Sequence, residues 1–375
     1  MKKKLVHISE ALGGGVSKHI IDLIDNIDTN KYDIFLIYNL DRADKSFKEK
    51  IVEYKKNRNI SLYEVENFNR QISYKDVFAL KNIFSIINKI QPDIVHCHSS
   101  KAGVLGRVSA KLAGVNKIFY TPHAYVMQDS NIKPIKNTLY KIIEKFMSRF
   151  FTTSTINVSN GEKKFALDNK LDNPDKFNVI YNGIDNNIKS EVVKTNKSKN
   201  KGIIIGVVGR LESQKDPLTF AQIAKEVSLQ LSSVKFIFIG EGSLRPELEE
   251  FIKNNNLQNI LLLPGYKSSV DEYLNLFDIY LSTSLYEGMP YSLIEALKYK
   301  LPIVGTDVIG NNEVIVNNHN GFLFDPGDYK KASELILHLL TNTETHTKMK
   351  KNSRFLFETT FTIKNMIDNL DNLYN

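Results

Sequence analysis

The feature that most limits what this chain can fold into is an alternation. Short runs rich in Ile, Val, Phe and Tyr recur along it, and stretches with apolar residues at helical spacing fall between many of them. KKLVHIS (3–9), YDIFLIYNL (32–40), DIVHCHS (93–99), KIFYTPH (117–123), TINVSN (155–160) and FNVIYNG (177–183) read as strands. SKHIIDLIDNI (17–27), YKDVFALKNIFSIINKI (74–90) and KAGVLGRVSAKLAG (101–114) read as helices. Such alternation predicts a parallel sheet covered on both faces. The pattern stops at NNIKSEVVKTNKSKNK (186–201), which is polar, charged and weakly periodic, and then restarts. GIIIGVVGR (202–210), KFIFIG (235–240), NILLLPG (259–265), DIYLSTS (278–284) and LPIVGTD (301–307) are expected strands. DPLTFAQIAKEVSLQL (216–231), YSLIEALKYK (291–300) and the tail ETTFTIKNMIDNLDNLY (358–374) are expected helices.

The expectation is therefore two doubly wound α/β domains, 1–185 and 202–357, joined by a linker at 186–201. A C-terminal helix at 358–375 should pack back on the first domain. A chain of 375 residues is long for one core, which agrees. In such sheets ligands bind at the carboxyl ends of strands. Two units joined once are expected to face each other across a central cleft.

Composition narrows the function classes. No apolar run reaches the roughly 18 residues of a spanning helix. The apolar part of MKKKLVHIS is too short for a signal peptide, so a cytoplasmic chain is expected. Cys97 is the sole cysteine, which excludes an internal disulfide and a cysteine metal cage. The formal charge of +8 is uneven: residues 1–185 carry +9, residues 186–201 carry +4 and residues 202–375 carry −5. A basic first half suits an anionic membrane or a phosphorylated ligand. No nucleic-acid-binding motif is visible, so no nucleic-acid partner is expected.

Polar motifs follow several strands. In EALGGGVSKHI (10–20), Gly13, Gly14 and Gly15 permit close backbone approach to a ligand, and a helix N-terminus follows. The spacing is not that of a dinucleotide fingerprint. In GVVGRLESQKDP (206–217), Arg210 and Lys215 could both reach one diphosphate, the first as a fork and the second as a point charge. In SLYEGMPYSLIEAL (284–297), a helix starting near Pro290 would leave the amides of Tyr291, Ser292 and Leu293 unpaired at an anion-favouring end. Glu287 before it and Glu295 one turn in are acceptor-only groups. Carboxylates around an anion site suit a molecule with a central diphosphate and hydroxyls at both ends, as in a nucleotide-sugar. Each of these groups could also be an ordinary surface charge. His98 and His123 follow strands of the first domain and could donate hydrogen bonds. His7, His19 and His96 read as structural or surface residues, and His-Cys-His is not by spacing a metal site.

Taken together, GGGVS, GRLESQK, IGEG (239–242), LPGY (263–266), EGMPYSLIE, NVIYNGID (178–185) and GNNEVI…NGFLF (310–324) resemble glycosyltransferase family 4 over essentially the whole chain. The resemblance implies the GT-B fold of two facing Rossmann-like domains. It implies a retaining transferase that moves sugar from a nucleotide-sugar, with UDP-sugar the expected donor. Catalytic roles would fall to Glu287, His123, Arg210 and Lys215. Glu287 would bind hydroxyls of the transferred sugar and Glu295 the ribose. Arg210 and Lys215 would clamp the diphosphate, and Gly15 would approach its distal phosphate. Ser292 and Leu293 would offer amides, Gly288 and Met289 lie on the same donor loop, and Tyr266 would meet the base. His98 and Gly14 fall on the acceptor side. No metal or other cofactor is implied, and the chain contains no Asp-x-Asp. The expected acceptor is a lipid-linked saccharide in bacterial surface polysaccharide synthesis, met at the inner face of the membrane. Tyr291-Ser292 stands where Phe-Gly is frequent in the family. The alternatives are a catalytically inactive subunit of the same fold and a dinucleotide-dependent oxidoreductase.

KPIKNTLYKIIEKFMSRFF (133–151) is a predicted amphipathic helix with Ile135, Leu139, Ile142, Ile143, Phe146, Met147 and Phe150 on one side. Lys133, Lys141, Lys145 and Arg149 fall on the other. An interfacial helix at an anionic membrane has this pattern, and so does a helix whose stripe faces the domain core.

Overall fold

The structure, a computed structural model, describes residues 1–56, 60–68, 73–129, 132–188 and 202–375. The chain divides into two compact units, Met1–Asn182 with Ile363–Asn375 and Gly183–Thr362. The division falls at 182/183 rather than at 185/186, and the second unit runs to Thr362 rather than to 357. Of the expected linker, 189–201 lie outside the described residues. Asn186 accepts a hydrogen bond from the Arg354 guanidinium at 2.5 Å within the second unit.

The first unit runs β1 (Lys3–Ser9), α1 (Gly15–Asn26), β2 (Tyr32–Tyr38), α2 (Lys45–Tyr54), β3 (Ile60–Glu64), α3 (Asp76–Ile90), β4 (Ile94–His98), α4 (Ser100–Leu112), β5 (Lys117–Thr121), α5 (Pro134–Phe151), β6 (Ser154–Asn157), α6 (Asn160–Asp168) and β7 (Phe177–Val179). The strands form one parallel sheet in the order β3-β2-β1-β4-β5-β6-β7. Its pleat sends alternate residues to opposite faces. Leu5, Ile94 and Phe119 join one core with Ile20, Leu23, Phe47 and Leu370. Val6, Ile8, Val95, Cys97 and Tyr120 join the other with Ile83, Ile87 and Ala102. Burial pushes the Cys97 thiol up to about 12, leaving it a packing group.

α4 holds α5 through a buried fork. Both terminal nitrogens of Arg107 donate to Glu144, at 2.9 and 3.0 Å, and one also reaches Thr152 at 3.0 Å. The guanidinium lies 3.9 Å from the centre of the Tyr120 ring. Met147 and Ser148 complete the buried side of α5.

The second unit runs β8 (Ile203–Val208), α7 (Pro217–Gln230), β9 (Val234–Ile239), α8 (Arg245–Asn254), β10 (Leu261–Gly265), α9 (Asp271–Leu276), β11 (Ile279–Ser282), α10 (Tyr291–Lys298), β12 (Ile303–Thr306), α11 (Asn311–Val314), β13 (Gly321–Phe324), α12 (Tyr329–Thr341) and α13 (Thr343–Thr360). Its parallel sheet is ordered β10-β9-β8-β11-β12-β13. Phe220 of α7 packs edge-on against Phe236 and Phe238 of β9.

The predicted helix at 358–375 is broken. Residues 358–360 end α13, and Phe361 and Thr362 instead meet Ile184, which donates to the Phe361 carbonyl at 3.0 Å. α14 (Ile363–Tyr374) then belongs to the first unit. Lys31 and the Tyr32 hydroxyl both donate to Asp371, at 2.6 and 2.8 Å, while Met366, Leu370 and Tyr374 are buried. Leu370→Ala should lower first-unit stability by about 2–5 kcal/mol, the usual cost of opening a leucine cavity. Urea unfolding checks this, and an unchanged midpoint would mean that α14 contributes no core.

Candidate active site

All strands of the second unit are parallel, so their carboxyl ends share one edge of the sheet. The motif after β8 and the motif after β11 meet there. Gln214 donates to the Tyr286 carbonyl at 3.0 Å, Leu285 donates to the Gln214 carbonyl at 2.8 Å, and Thr283 donates to the carbonyls of Lys215 and Asp216. These ties bring Lys215 Nζ directly onto Glu287 Oε1. Glu287 is buried and Lys215 half-buried, so each compensates the other's desolvation. Arg210 stands exposed on the same loop, donating to Gln214 at 3.2 Å.

Glycine makes this crossing possible. Gly240, at φ 148°, passes so close to the β8 loop that a Cβ would lie 1.8 Å from the Gly209 carbonyl oxygen. Gly310, at φ 84°, lies against the donor loop, where a Cβ would meet the Gly288 carbonyl oxygen at 2.2 Å. Beneath the start of α10, the buried Tyr280 hydroxyl bonds both backbone groups of Val208, at 3.0 and 3.1 Å, and the Ser292 hydroxyl reaches the same phenol. Serine in place of glycine at 292 thus anchors the helix start.

Gly288 and Met289 are buried, Ser292 and Glu295 half-buried, and Tyr266 exposed beyond β10. The Leu293 amide is drawn back to the Pro290 carbonyl at 3.2 Å, so it is already engaged.

In the first unit, Gly14, the cap of α1, and Gly15, its first residue, are exposed. A carboxylate already uses this turn: Asp44 accepts from the Gly14 amide at 3.0 Å and the Ser17 hydroxyl at 3.2 Å. Five histidines gather beside it. The β1–β4 register pairs His7 with His96, and the pleat places His7, His96 and His98 on one face while Cys97 turns to the other. His7 Nδ1 lies 3.1 Å from His98 Nε2, and His98 Nδ1 lies 3.3 Å from His123 Nε2. His96 bonds the Tyr374 and Thr121 hydroxyls at 2.6 and 2.8 Å, and His19 meets Asn182 at 3.1 Å. His7, His19 and His96 are therefore structural and buried, and none is a surface residue.

Burial pushes His7 down to about 3 and His19 to about 4, and holds His96 and His98 well below the ordinary range. A neutral imidazole has one N–H, so the His7–His98–His123 chain must run in one direction. His7 Nε2 is buried without a partner among the described residues. A bare lone pair there costs less than an unpaired N–H. His7 then donates to His98, His98 donates to His123, and His123 is left with an N–H at Nδ1 to offer.

Ring nitrogens of His7, His96 and His98, and of His19, His98 and His123, lie within 4.8 Å of one another. Those of His96 and His98 are already committed as above, so a metal ion would have to displace these bonds. The residues as folded hold one another.

His123 and Ala124 both have positive φ, 56° and 85°. Glu162, fully buried, holds that turn by accepting from the Ala124 amide at 2.6 Å and the Val158 amide at 2.8 Å. Sequence reading passed over Glu162, although Ser159-x-x-Glu162 is a capping signature. It also passed over Glu10, buried and bonded to the Ala102 amide at 2.9 Å, its carboxyl raised by burial.

The histidine cluster should make the first unit acid-sensitive. Each histidine is neutral when folded and gains a proton on unfolding below about pH 6.5, so each contributes a loss of about 1.4 kcal/mol per pH unit. That loss runs from about pH 6.5 down to the folded values, about 4 for His19 and about 3 for His7. Urea midpoints should hold above neutrality and fall between about pH 6.5 and 5. A flat midpoint across that range would refute neutral burial.

Comparison with known proteins agrees with this architecture. The Glycosyltransferase Family 4 profile matches residues 13–187, and the Glycosyl transferases group 1 profile matches residues 188–355. A UDP-Gal:alpha-D-GlcNAc-diphosphoundecaprenol alpha-1,3-galactosyltransferase of Escherichia coli is 33% identical, over 80% of this chain and 79% of that relative. The capsular polysaccharide biosynthesis glycosyltransferase CapM of Staphylococcus aureus is 24% identical, over 80% and 81%. Among solved structures, Anabaena HepE in complex with UDP superposes with a TM-score of 0.81 at 19% identity, covering 100% of this chain and 99% of that one. Sucrose-phosphate synthase from Thermosynechococcus elongatus gives 0.82 at 15% identity, covering 100% and 98%. The chain is a glycosyltransferase of family 4, with the GT-B fold and a nucleotide-sugar as its substrate.

Proposed function

We propose that the protein moves a hexosyl or N-acetylhexosaminyl unit from a UDP-sugar to a hydroxyl of a lipid-linked saccharide, with retention, in building a bacterial surface polysaccharide. It would act at the cytoplasmic face of the membrane. The observation that carries this reading is the Lys215–Glu287 pair with Arg210 on the same loop, at the carboxyl edge of the second sheet. A cation and a carboxylate held together there are a matched pair for a phosphate and a sugar hydroxyl. The E. coli relative is named for a UDP-Gal donor and a diphosphoundecaprenol acceptor, and solved neighbours hold UDP or UDP-glucose.

In this reading the donor separates the pair. Glu287 accepts from hydroxyls of the transferred sugar, Lys215 and Arg210 hold the diphosphate, and Glu295 accepts from the ribose. Gly288, Met289, Ser292 and Tyr266 complete the donor contacts, whereas Leu293, buried and with its amide turned back to Pro290, does not take part. The bond from the anomeric carbon to the phosphate oxygen breaks, and the acceptor oxygen bonds that carbon on the same face. The acceptor proton passes to the departing phosphate oxygen. Lys215 and Arg210 stabilise the charge that develops there, and no metal ion takes part. In the first unit, His123 would offer its Nδ1–H to substrate beside the exposed Gly14–Gly15 turn, and His98, buried with both ring nitrogens bonded to His7 and His123, would position His123 rather than meet the acceptor itself.

The test is nucleoside diphosphate release by the purified chain from UDP-, GDP- and ADP-sugars in excess chelator, with and without a diphosphoundecaprenol-linked sugar. Acceptor-dependent UDP release with an anomerically retained product is expected. Activity with GDP- or ADP-sugars alone would overturn the donor, loss in chelator would overturn metal independence, and no turnover at all would favour an inactive subunit.

Arg210→Ala and Lys215→Ala should each remove a charge-assisted contact of about 1.5–3 kcal/mol, lowering turnover about tenfold to hundredfold. The urea midpoint of Arg210→Ala should stay close to that of the unaltered chain, because Arg210 is exposed, while Lys215→Ala, which leaves the buried Glu287 without its cation, should also lower the midpoint. Near-normal turnover in both would remove the diphosphate assignment.

A further inference from the structure

No helix among the described residues is long and apolar enough to cross a membrane, yet α5 carries a large apolar surface in the open. Ile135, Leu139, Ile142, Phe146 and Phe150 are between 53% and 86% exposed. At helical spacing these five fall within an arc of about 80°. Met147 does not share that face, and lies buried. Arg107–Glu144 and Met147 pin the opposite side of the helix to the domain, so the apolar arc points away from the protein. Phe146 stands between Phe150 and Phe151, with ring centres 5.1 and 5.6 Å away. The core-facing alternative left open by the sequence is thus excluded.

The surroundings of this arc are basic. Lys133, Lys136, Lys145 and Arg149 are exposed along α5. Beside its C-terminal half opens a cavity of about 440 Å³, lined by Lys145, Arg149 and Lys170 with Leu167 and Leu171. Its single acid, Asp172, accepts from the Ser148 hydroxyl at 2.8 Å. The pattern is an apolar ridge next to a small cationic recess.

We propose that α5 is the membrane-docking surface of this enzyme: the Ile135–Phe150 ridge enters the headgroup–acyl boundary of an anionic bilayer, and the Lys145–Arg149–Lys170 recess takes the phosphate of an anionic phospholipid. Apolar burial and electrostatic attraction together set the affinity of such a helix. Each cation near an anionic surface is worth about a fivefold change in partitioning. A second copy of the chain is a poorer occupant, because two basic surfaces would repel. This deepens the membrane-side placement proposed above, and it can be read without donor or acceptor, so it stands or falls separately from transfer chemistry.

The test is co-sedimentation of the full chain with vesicles of phosphatidylcholine, alone or mixed with phosphatidylglycerol, at low and high salt. Binding to the mixed vesicles at low salt, weakened by salt, is expected. Phe146→Ser with Phe150→Ser should abolish binding without changing the circular dichroism spectrum, since both side chains are exposed. Lys145→Glu with Arg149→Glu and Lys170→Glu should reduce it at least about a hundredfold, by the same per-cation factor over three charge reversals. Equal binding to neutral vesicles would overturn the phosphate recess. No binding, or undiminished binding by the phenylalanine variant, would overturn the docking surface. So would a stable dimer by sedimentation equilibrium that the phenylalanine variant dissolves.

Discussion

A parallel sheet buried on both faces has already committed the backbone of its strands to neighbouring strands. Function is left to the strand ends, where loops begin and helix N-termini follow. This constraint governs both units. In the second, the loops after β8 and β11 are laced by Gln214, Thr283 and Leu285, and the lacing sets Lys215 against Glu287. In the first, the loop after β5 carries His123 at a positive φ that Glu162 sustains.

How much of this was legible depended on whether the signal was local. Strand positions were, because Ile- and Val-rich runs bounded by Gly, Pro or Asn are local. β3 and β13 are short and half-polar or glycine-led, and were passed over. The meeting of Arg210, Lys215 and Glu287 was readable, since each follows a strand and parallel strands end on one edge. The histidine cluster was not. KKLVHIS and DIVHCHS each show an alternation that turns His7 inward and separates His96 and His98 from Cys97. Only the pairing of β1 with β4, almost ninety residues away, puts them side by side. Likewise, amphipathicity on α5 was plain, but which face met the protein depended on Arg107, a residue of another helix.

Charge compensation is local in each unit. Arg107 and Glu144 satisfy each other in a dry setting, and removing either would strand a buried charge. Lys215 and Glu287 lie in the same kind of bond, but on a loop edge beside the exposed Arg210. The first pair is enclosed by Thr152 and the Tyr120 ring and serves architecture. The second is open to exchange its partners.

α14 has a consequence for how the molecule comes into being. Tyr374 lies under the first sheet with its hydroxyl on His96, 278 positions earlier in the chain. On a ribosome, residues 1–182 emerge first, but their core stays open until residue 374 has left the exit tunnel. The second unit is one continuous segment, Gly183–Thr362, and has all its parts sooner. The usual order, in which the N-terminal domain matures first, is therefore reversed at the last step. The unit synthesised first waits, with Phe119 uncovered by Tyr374, for α14 to close it.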